Sequence, residues 1–261
     1  MSVKQPKDEN YWDMLKYNLC PRFSVFSVTF SLWTINIIAF IVLVCISINE
    51  LTDDEFLGIS TQKLADAGAK YPYNILHKGQ VYRWFVPIFL HANFLHIFFN
   101  SVSLFWIGFV VEKTIGAFRF TALYILSGVS GFIFSSLVND SIGVGASGAI
   151  FGLIGILISN LILNWRAIYE SGSLLSIVII IIMMVMISLS GSDHTDNWGH
   201  FGGILFGTLL GCVILNEVKN REEGRSWRLT LGGWVTFVIY IVSFAMMIVL
   251  FFTVVHPDKK L

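Results

Sequence analysis

Seven stretches of this chain are too long and too continuously apolar for a water-facing fold: roughly Val25–Ile48, Phe94–Val111, Phe120–Val138, Ser147–Trp165, Leu174–Leu189, Trp198–Leu215 and Leu229–Val255. A run of about 20 apolar residues is long enough to cross a bilayer. Inside hydrocarbon every backbone N–H and C=O must find its partner within the protein, so segments of this length and continuity predict helices. The fold class that follows is all-α: a polytopic membrane helical bundle of seven transmembrane helices, with the lipid bilayer as its surroundings. Charge agrees, since 13% of the 261 residues are charged against about 25% in soluble domains. The net charge is zero, and nothing points to nucleic acid as a partner.

The predicted organisation is a cytoplasmic tail over residues 1–24, a six-helix core over 25–215 containing a long first loop (49–90), and a final part, 216–261, with a cytoplasmic loop and one more helix. The tail is too polar for a cleavable signal peptide, so the first span is expected to act as a retained anchor. Cys20, Cys45 and Cys212 have no CxxC spacing and predict no disulfide framework. With the N-terminus in the cytoplasm, eleven lysines and arginines fall on that side, against six on the other: Lys63, Lys70, Lys78, Arg83, Lys259 and Lys260. That asymmetry favours this orientation. The end of the first loop, YPYNILHKGQVYRWFVPIF, is aromatic enough to pack at the interface or into the bundle.

Polar groups are costly within a span and are functional candidates there. His96 and Asn100, in HANFLHIFFNS, are four apart and share a face of the second helix. Ser147 opens the fourth helix and His200 lies in the first turn of the sixth. These three helices run in the same direction, so all four residues share one depth. Gly148 and Gly152 follow the serine as GxxxG, and Gly203, Gly207 and Gly211 repeat the interval after the histidine. Small residues at this interval let membrane helices approach closely. If the two glycine faces meet, Ser147 and His200 come together.

A serine hydroxyl becomes a nucleophile when a base takes its proton, and neutral histidine suits that task near pH 7. The oxyanion formed on a peptide carbonyl needs preset donors. The start of a helix offers free N–H groups, and His96 and Asn100 could add side-chain donors. No acid falls inside an apolar span. Asp193 and Asp196 precede His200 in a loop, where acids beside a membrane usually face solvent, so a Ser–His dyad is expected rather than a triad.

Four pieces, YRWFVPIFLHANFLHIFFN, VEKTIG, GASGAIFG and GHFGGILFG, occur in this order between Val81 and Gly211. Together they resemble the rhomboid intramembrane serine proteases. The long first loop and seventh helix look like the "six plus one" arrangement of the family's eukaryotic secretory-pathway members. The resemblance implies Ser147 as nucleophile, His200 as base and acid, and His96, Asn100 and the Ser147 N–H as the oxyanion hole. Supporting positions are Gly145 of GASG, Phe151, His91 and Arg83. Phe151 takes the place of an aromatic that packs on the catalytic histidine, and His91 matches a frequent helper position. Arg83 corresponds to the arginine of a structural Trp-Arg motif, with Tyr82 standing where the tryptophan would be. The implied substrates are single-pass membrane proteins whose helices unwind easily, admitted sideways past helix five. No metal or other cofactor is implied, and the implied location is the secretory pathway or plasma membrane.

Other functions fit less well. A metal-dependent intramembrane protease would carry a pattern such as HExxH, and an aspartyl one would need two acids within spans. A transporter would often show repeated halves. The strongest alternative is a non-catalytic relative that binds transmembrane clients and controls their trafficking or degradation. Such relatives usually lack the serine or the histidine. Glu112 and Arg119, around a short turn, are expected to form a structural tie.

Overall fold

The computed structural model describes residues 24–170, 174, 175, 177–179, 182, 196–222 and 230–258. Most of the fifth apolar segment, the amino-terminal tail, Asp193 and His194 lie outside the described residues. The long helices are α1 (Val28–Ile46), α4 (Phe94–Ile115), α5 (Ala117–Val138), α6 (Ser147–Glu170), α7 (Asn197–Glu222) and α8 (Leu231–Val254). These six are long and apolar enough to cross a membrane. Between α1 and α4 the first loop carries a two-residue antiparallel pairing of β1 (Leu51–Thr52) with β2 (Gly58–Ile59), followed by the short helices α2 (Thr61–Asp66) and α3 (Pro72–Lys78).

Several helices outrun the apolar segments that announce them. The second apolar run ends at Val111 but α4 continues to Ile115, and α7 continues to Glu222. Hydropathy marks where lipid ends, whereas the ladder of backbone hydrogen bonds continues through Glu, Lys and Asn. The polar residues beyond the apolar runs tie the helices together. The Glu112 carboxylate accepts from Val28 N (2.8 Å), Thr29 N (2.8 Å) and Thr29 Oγ1 (2.6 Å) at the start of α1. There a negative charge also meets the positive end of the helix dipole. Arg119 donates to Glu217 from Nε (3.0 Å) and Nη2 (2.5 Å), joining α5 to α7. Glu112 and Arg119 are therefore each tied to a third helix, not to one another.

Among the described residues the closest helix pair is α6 with α7, and its register is parallel. A Cβ on Gly203 would lie 2.1 Å from the Gly148 carbonyl oxygen, and one on Gly207 would lie 2.5 Å from Gly152 Cα and O. One on Gly211 would lie 2.8 Å from Ile156 Cα. Backbone rests on backbone along this contact, which only glycine permits. Helix α5 packs across the same pair: a Cβ on Gly131 would meet the Gly199 carbonyl oxygen at 2.5 Å.

The first loop is built into the bundle. Arg83 is buried, with Nη1 donating to the carbonyls of Ala65 (2.6 Å) and Ala69 (3.0 Å) and Nε to Gln80 Oε1 (2.6 Å). Trp84 donates from Nε1 to Ser136 Oγ on α5 at 3.2 Å. Its ring also meets Phe251 of α8 edge-on at 5.2 Å. Trp84, Phe251, Ile75 and Ile88 belong to the same apolar core as α4, α5, α6 and α7.

Candidate active site

Ser147 is the first residue of α6, and His200 stands in the first turn of α7. Their side chains reach each other, with Oγ and Nε2 2.7 Å apart. The His200 ring is buried and lies flat on Phe151, one turn after the serine, with centroids 4.5 Å apart and planes 18° from parallel. That stack fixes the plane of the imidazole, and the glycine contacts of α6 with α7 set the lateral distance.

The loop before Ser147 is shaped by Gly145, whose φ of +125° lies where L side chains are strained. A Cβ there would lie 2.7 Å from His96 Nε2 and 3.4 Å from Ser147 Oγ. The absent side chain thus leaves an opening bounded by His96 on one side and the serine on the other. His96 is placed by Asn93, which caps α4 by accepting the His96 N–H on Oδ1 at 2.7 Å. Asn100 is buried, and its Nδ2 donates to the His96 carbonyl at 2.8 Å. An amide nitrogen carries two hydrogens, and this bond accounts for one of them.

Asp196 departs from its sequence expectation. It does not face solvent: it is buried just ahead of α7, and its carboxylate caps that helix. Oδ1 accepts from Gly199 N at 3.0 Å and from Ser135 Oγ at 2.6 Å, while Oδ2 lies 3.4 Å from Lys70 Nζ. The solvent rule fails because a buried cation from the first loop and a hydroxyl from α5 take the place of water. Lys70 is likewise no solvent-facing loop charge, since its side chain is 0% exposed. Sequence reasoning passed over Lys70, Asn93 and Ser135. Asn93 carried a signal, as an asparagine immediately before an apolar run is a helix start. For Lys70 the signal was a lone charge inside the small and aromatic stretch AGAKYPY.

His91 is fully buried ahead of α4, its ring 5.3 Å from that of His96. Burial first, and the neighbouring His96 second, hold its pKa well below the ordinary 6.5. It is therefore neutral in the folded protein, while the unfolded chain takes up a proton as pH falls below about 6.5. Its contribution to stability is complete above that pH and declines below it toward the lower folded pKa. Thermal unfolding in detergent should show a melting temperature that drops between pH 7 and pH 5, and His91→Gln should make the drop smaller. Equal slopes for the two proteins would remove His91 as a source of acid sensitivity. Among the described residues no three His, Cys, Asp or Glu side chains form a group that could hold a metal ion.

A Rhomboid domain model matches residues 78–217. Rhomboid-like protease 1 of Toxoplasma gondii is 36% identical over 215 residues, covering 80% of this chain and 71% of that protein. RHOMBOID-like protein 1 of Arabidopsis thaliana is 39% identical over 166 residues, covering 63% of this chain and 42% of that one. RHOMBOID-like protein 5 of the same plant is 37% identical over 173 residues, with 65% of this chain and 55% of the relative covered. The chain thus spans about half the length of these two plant relatives.

Proposed function

The chain belongs to the rhomboid family, and on that premise we propose that it is an intramembrane serine endopeptidase working through a Ser147–His200 dyad. The observation that carries the reading is the 2.7 Å approach of Ser147 Oγ to His200 Nε2, made between the starts of two membrane helices. In this reading Ser147 donates its hydroxyl hydrogen to Nε2, and His200 takes the proton as Oγ attacks the carbonyl carbon of the scissile peptide bond. The oxyanion is held by the Ser147 backbone N–H, which as the first of its helix has no partner within the helix, and by donors from His96 and Asn100. Each such donor is worth about 10²–10³ in rate. His200 then hands its proton to the leaving amine as the C–N bond breaks. Water, deprotonated by the same ring, then attacks the acyl carbon, and as the ester C–O bond breaks His200 returns that proton to Ser147 Oγ.

Substrates in this reading are single-pass membrane proteins, cut within or beside the transmembrane helix. A helix hides its carbonyls in its own hydrogen bonds, so the segment presented to Ser147 must unwind. The N-terminus lies in the cytoplasm and the dyad opens to the opposite side, in a membrane of the secretory pathway or the cell surface.

The test is co-expression with a panel of tagged single-pass proteins, comparing wild type, Ser147→Ala and His200→Ala at equal protein levels. Cleavage by wild type alone supports the dyad. Equal cleavage by all three assigns the activity elsewhere. Clients that co-purify uncut with all three favour a non-catalytic, client-binding rhomboid-like protein.

A further inference from the structure

We propose that Lys70 is a positioning residue that sets the register of Ser147 against His200, acting through Gly143 on one side and Asp196 on the other. The inference rests on the serine-protease reading above. Lys70 is joined to both halves of the dyad. Its backbone forms an antiparallel bridge with the loop that leads into the nucleophile: Lys70 N donates to the Gly143 carbonyl at 2.9 Å, and Gly143 N donates to the Lys70 carbonyl at 3.2 Å. Its ammonium donates to Ser135 Oγ at 2.6 Å and Asn139 Oδ1 at 3.1 Å, and stands 3.4 Å from Asp196 Oδ2. Ser135 passes the link on, donating to Asp196 Oδ1 at 2.6 Å. Asp196 then holds the first turn of α7, its carboxylate accepting from Gly199 N and its carbonyl accepting from His200 N at 3.0 Å.

The three segments meet without slack. A Cβ on Gly143 would lie 2.9 Å from Asp196 Oδ2 and 3.4 Å from Lys70 Cε. Asp196 lines the same small cavity as Ser147 and His200. Upstream, Arg83 grips the carbonyl of Ala69, the residue before Lys70, and downstream Gly145 N donates to the Pro87 carbonyl of the first loop at 2.9 Å. The first loop thus acts as a template on which the start of α6 and the start of α7 are both set.

The glycine contact between α6 and α7 explains why a template is needed. Small residues bring the two backbones together but present no large side chain to stop one helix from sliding along the other. A displacement of about 1 Å is enough to cost ~10²-fold in turnover. A buried ion pair is a weak device for stability, since an apolar replacement often does as well. It is a directional one, and here it joins the two helix starts that carry the reacting atoms.

The experiment uses the full chain in detergent micelles with a tagged single-pass substrate, comparing wild type, Ser147→Ala, Lys70→Met, Asp196→Asn and the Lys70→Met/Asp196→Asn double variant. kcat, KM and amide hydrogen exchange are measured on each. Lys70→Met is expected to lower kcat by about 100-fold with KM changed by no more than about twofold. The double variant should be no worse than Lys70→Met alone, because the Lys70 side chain acts through Asp196, whereas its link to Gly143 is made by the backbone. Amide exchange should quicken over Gly143–Ser147 and at Gly199 and His200, and stay at the wild-type rate along the rest of the long helices. A wild-type kcat in Lys70→Met overturns the proposal. So does a kcat loss accompanied by faster exchange throughout the bundle, which marks a general loss of stability. If wild type cleaves no better than Ser147→Ala, the protease reading fails instead. The exchange pattern then still decides whether Lys70 fixes the two segments: unchanged exchange in Lys70→Met overturns the positioning, and local quickening supports it.

Discussion

Ser147→Ala and His200→Ala are each expected to lower kcat by about 10⁶, and the double variant by no more than either alone. In a soluble serine protease the loss of nucleophile or base costs about 2 × 10⁶ in turnover, and the losses do not multiply because the groups act as one unit. At about 1.4 kcal/mol per factor of ten, this is roughly 8–9 kcal/mol of transition-state stabilisation. The proposed dyad leads to the same coupling here. Ser147 Oγ has His200 Nε2 at 2.7 Å, so in that reading removing either side chain removes the same proton transfer. The two variants should differ in stability. Ser147→Ala leaves the Phe151–His200 stack and the glycine contacts in place, so its melting temperature should stay near that of wild type. His200→Ala removes a buried ring packed at 4.5 Å on Phe151 and should melt lower. Purified protein, a single-pass substrate and a thermal scan check all of this. Losses that multiply in the double variant would mean the two side chains work in separate steps, and the dyad would be wrong.

The sequence made some of this legible and hid the rest for physical reasons. The helical membrane bundle could be read directly, because a segment such as LGGWVTFVIYIVSFAMMIVLFFTV admits only one way of satisfying its backbone in lipid. Helix ends were less legible, since Lys113 and Thr114 extend α4 beyond the point where hydropathy falls. The interval between glycines is visible in the chain, but their partners are not. That Gly131 of α5 lies against Gly199 is a tertiary fact with no local signature. Asp196 is the clearest failure. Its local context is a polar loop and predicts solvent, yet it is bonded to Ser135, 61 residues away, and paired with Lys70 from the first loop. Partners at that separation leave no mark on local composition. The aromatic content of the first loop signalled packing, but not the bridge from Lys70 to Gly143 or the contact of Trp84 with Phe251.

Gly203→Val and Gly207→Val are expected to be the most damaging substitutions outside the dyad. In an ordinary core an overlarge side chain costs about 1–3 kcal/mol, because neighbouring side chains can shift. At these two positions the obstruction is backbone. The first side-chain carbon alone would stand 2.1 Å from the Gly148 carbonyl oxygen in one case and 2.5 Å from Gly152 Cα in the other. The helices can only separate, and separation moves His200 away from Ser147. A loss of about 3 kcal/mol or more in stability should therefore come with at least a ~10²-fold loss in kcat. The contact is asymmetric, which sharpens the test. A Cβ on Gly148 would come no closer than 3.4 Å to any neighbour, the Gly199 carbonyl oxygen, an ordinary contact, so Gly148→Ala should be tolerated where Gly203→Ala is not. Gly232 in α8 faces open space, its Cβ meeting nothing closer than Thr230 Oγ1 at 3.9 Å, and Gly232→Val is the control for a bulky residue in a membrane helix. Melting temperature and turnover measured on these variants decide the matter. If Gly203→Val melts and cleaves like Gly232→Val, the close contact of α6 with α7 is not what holds the site together.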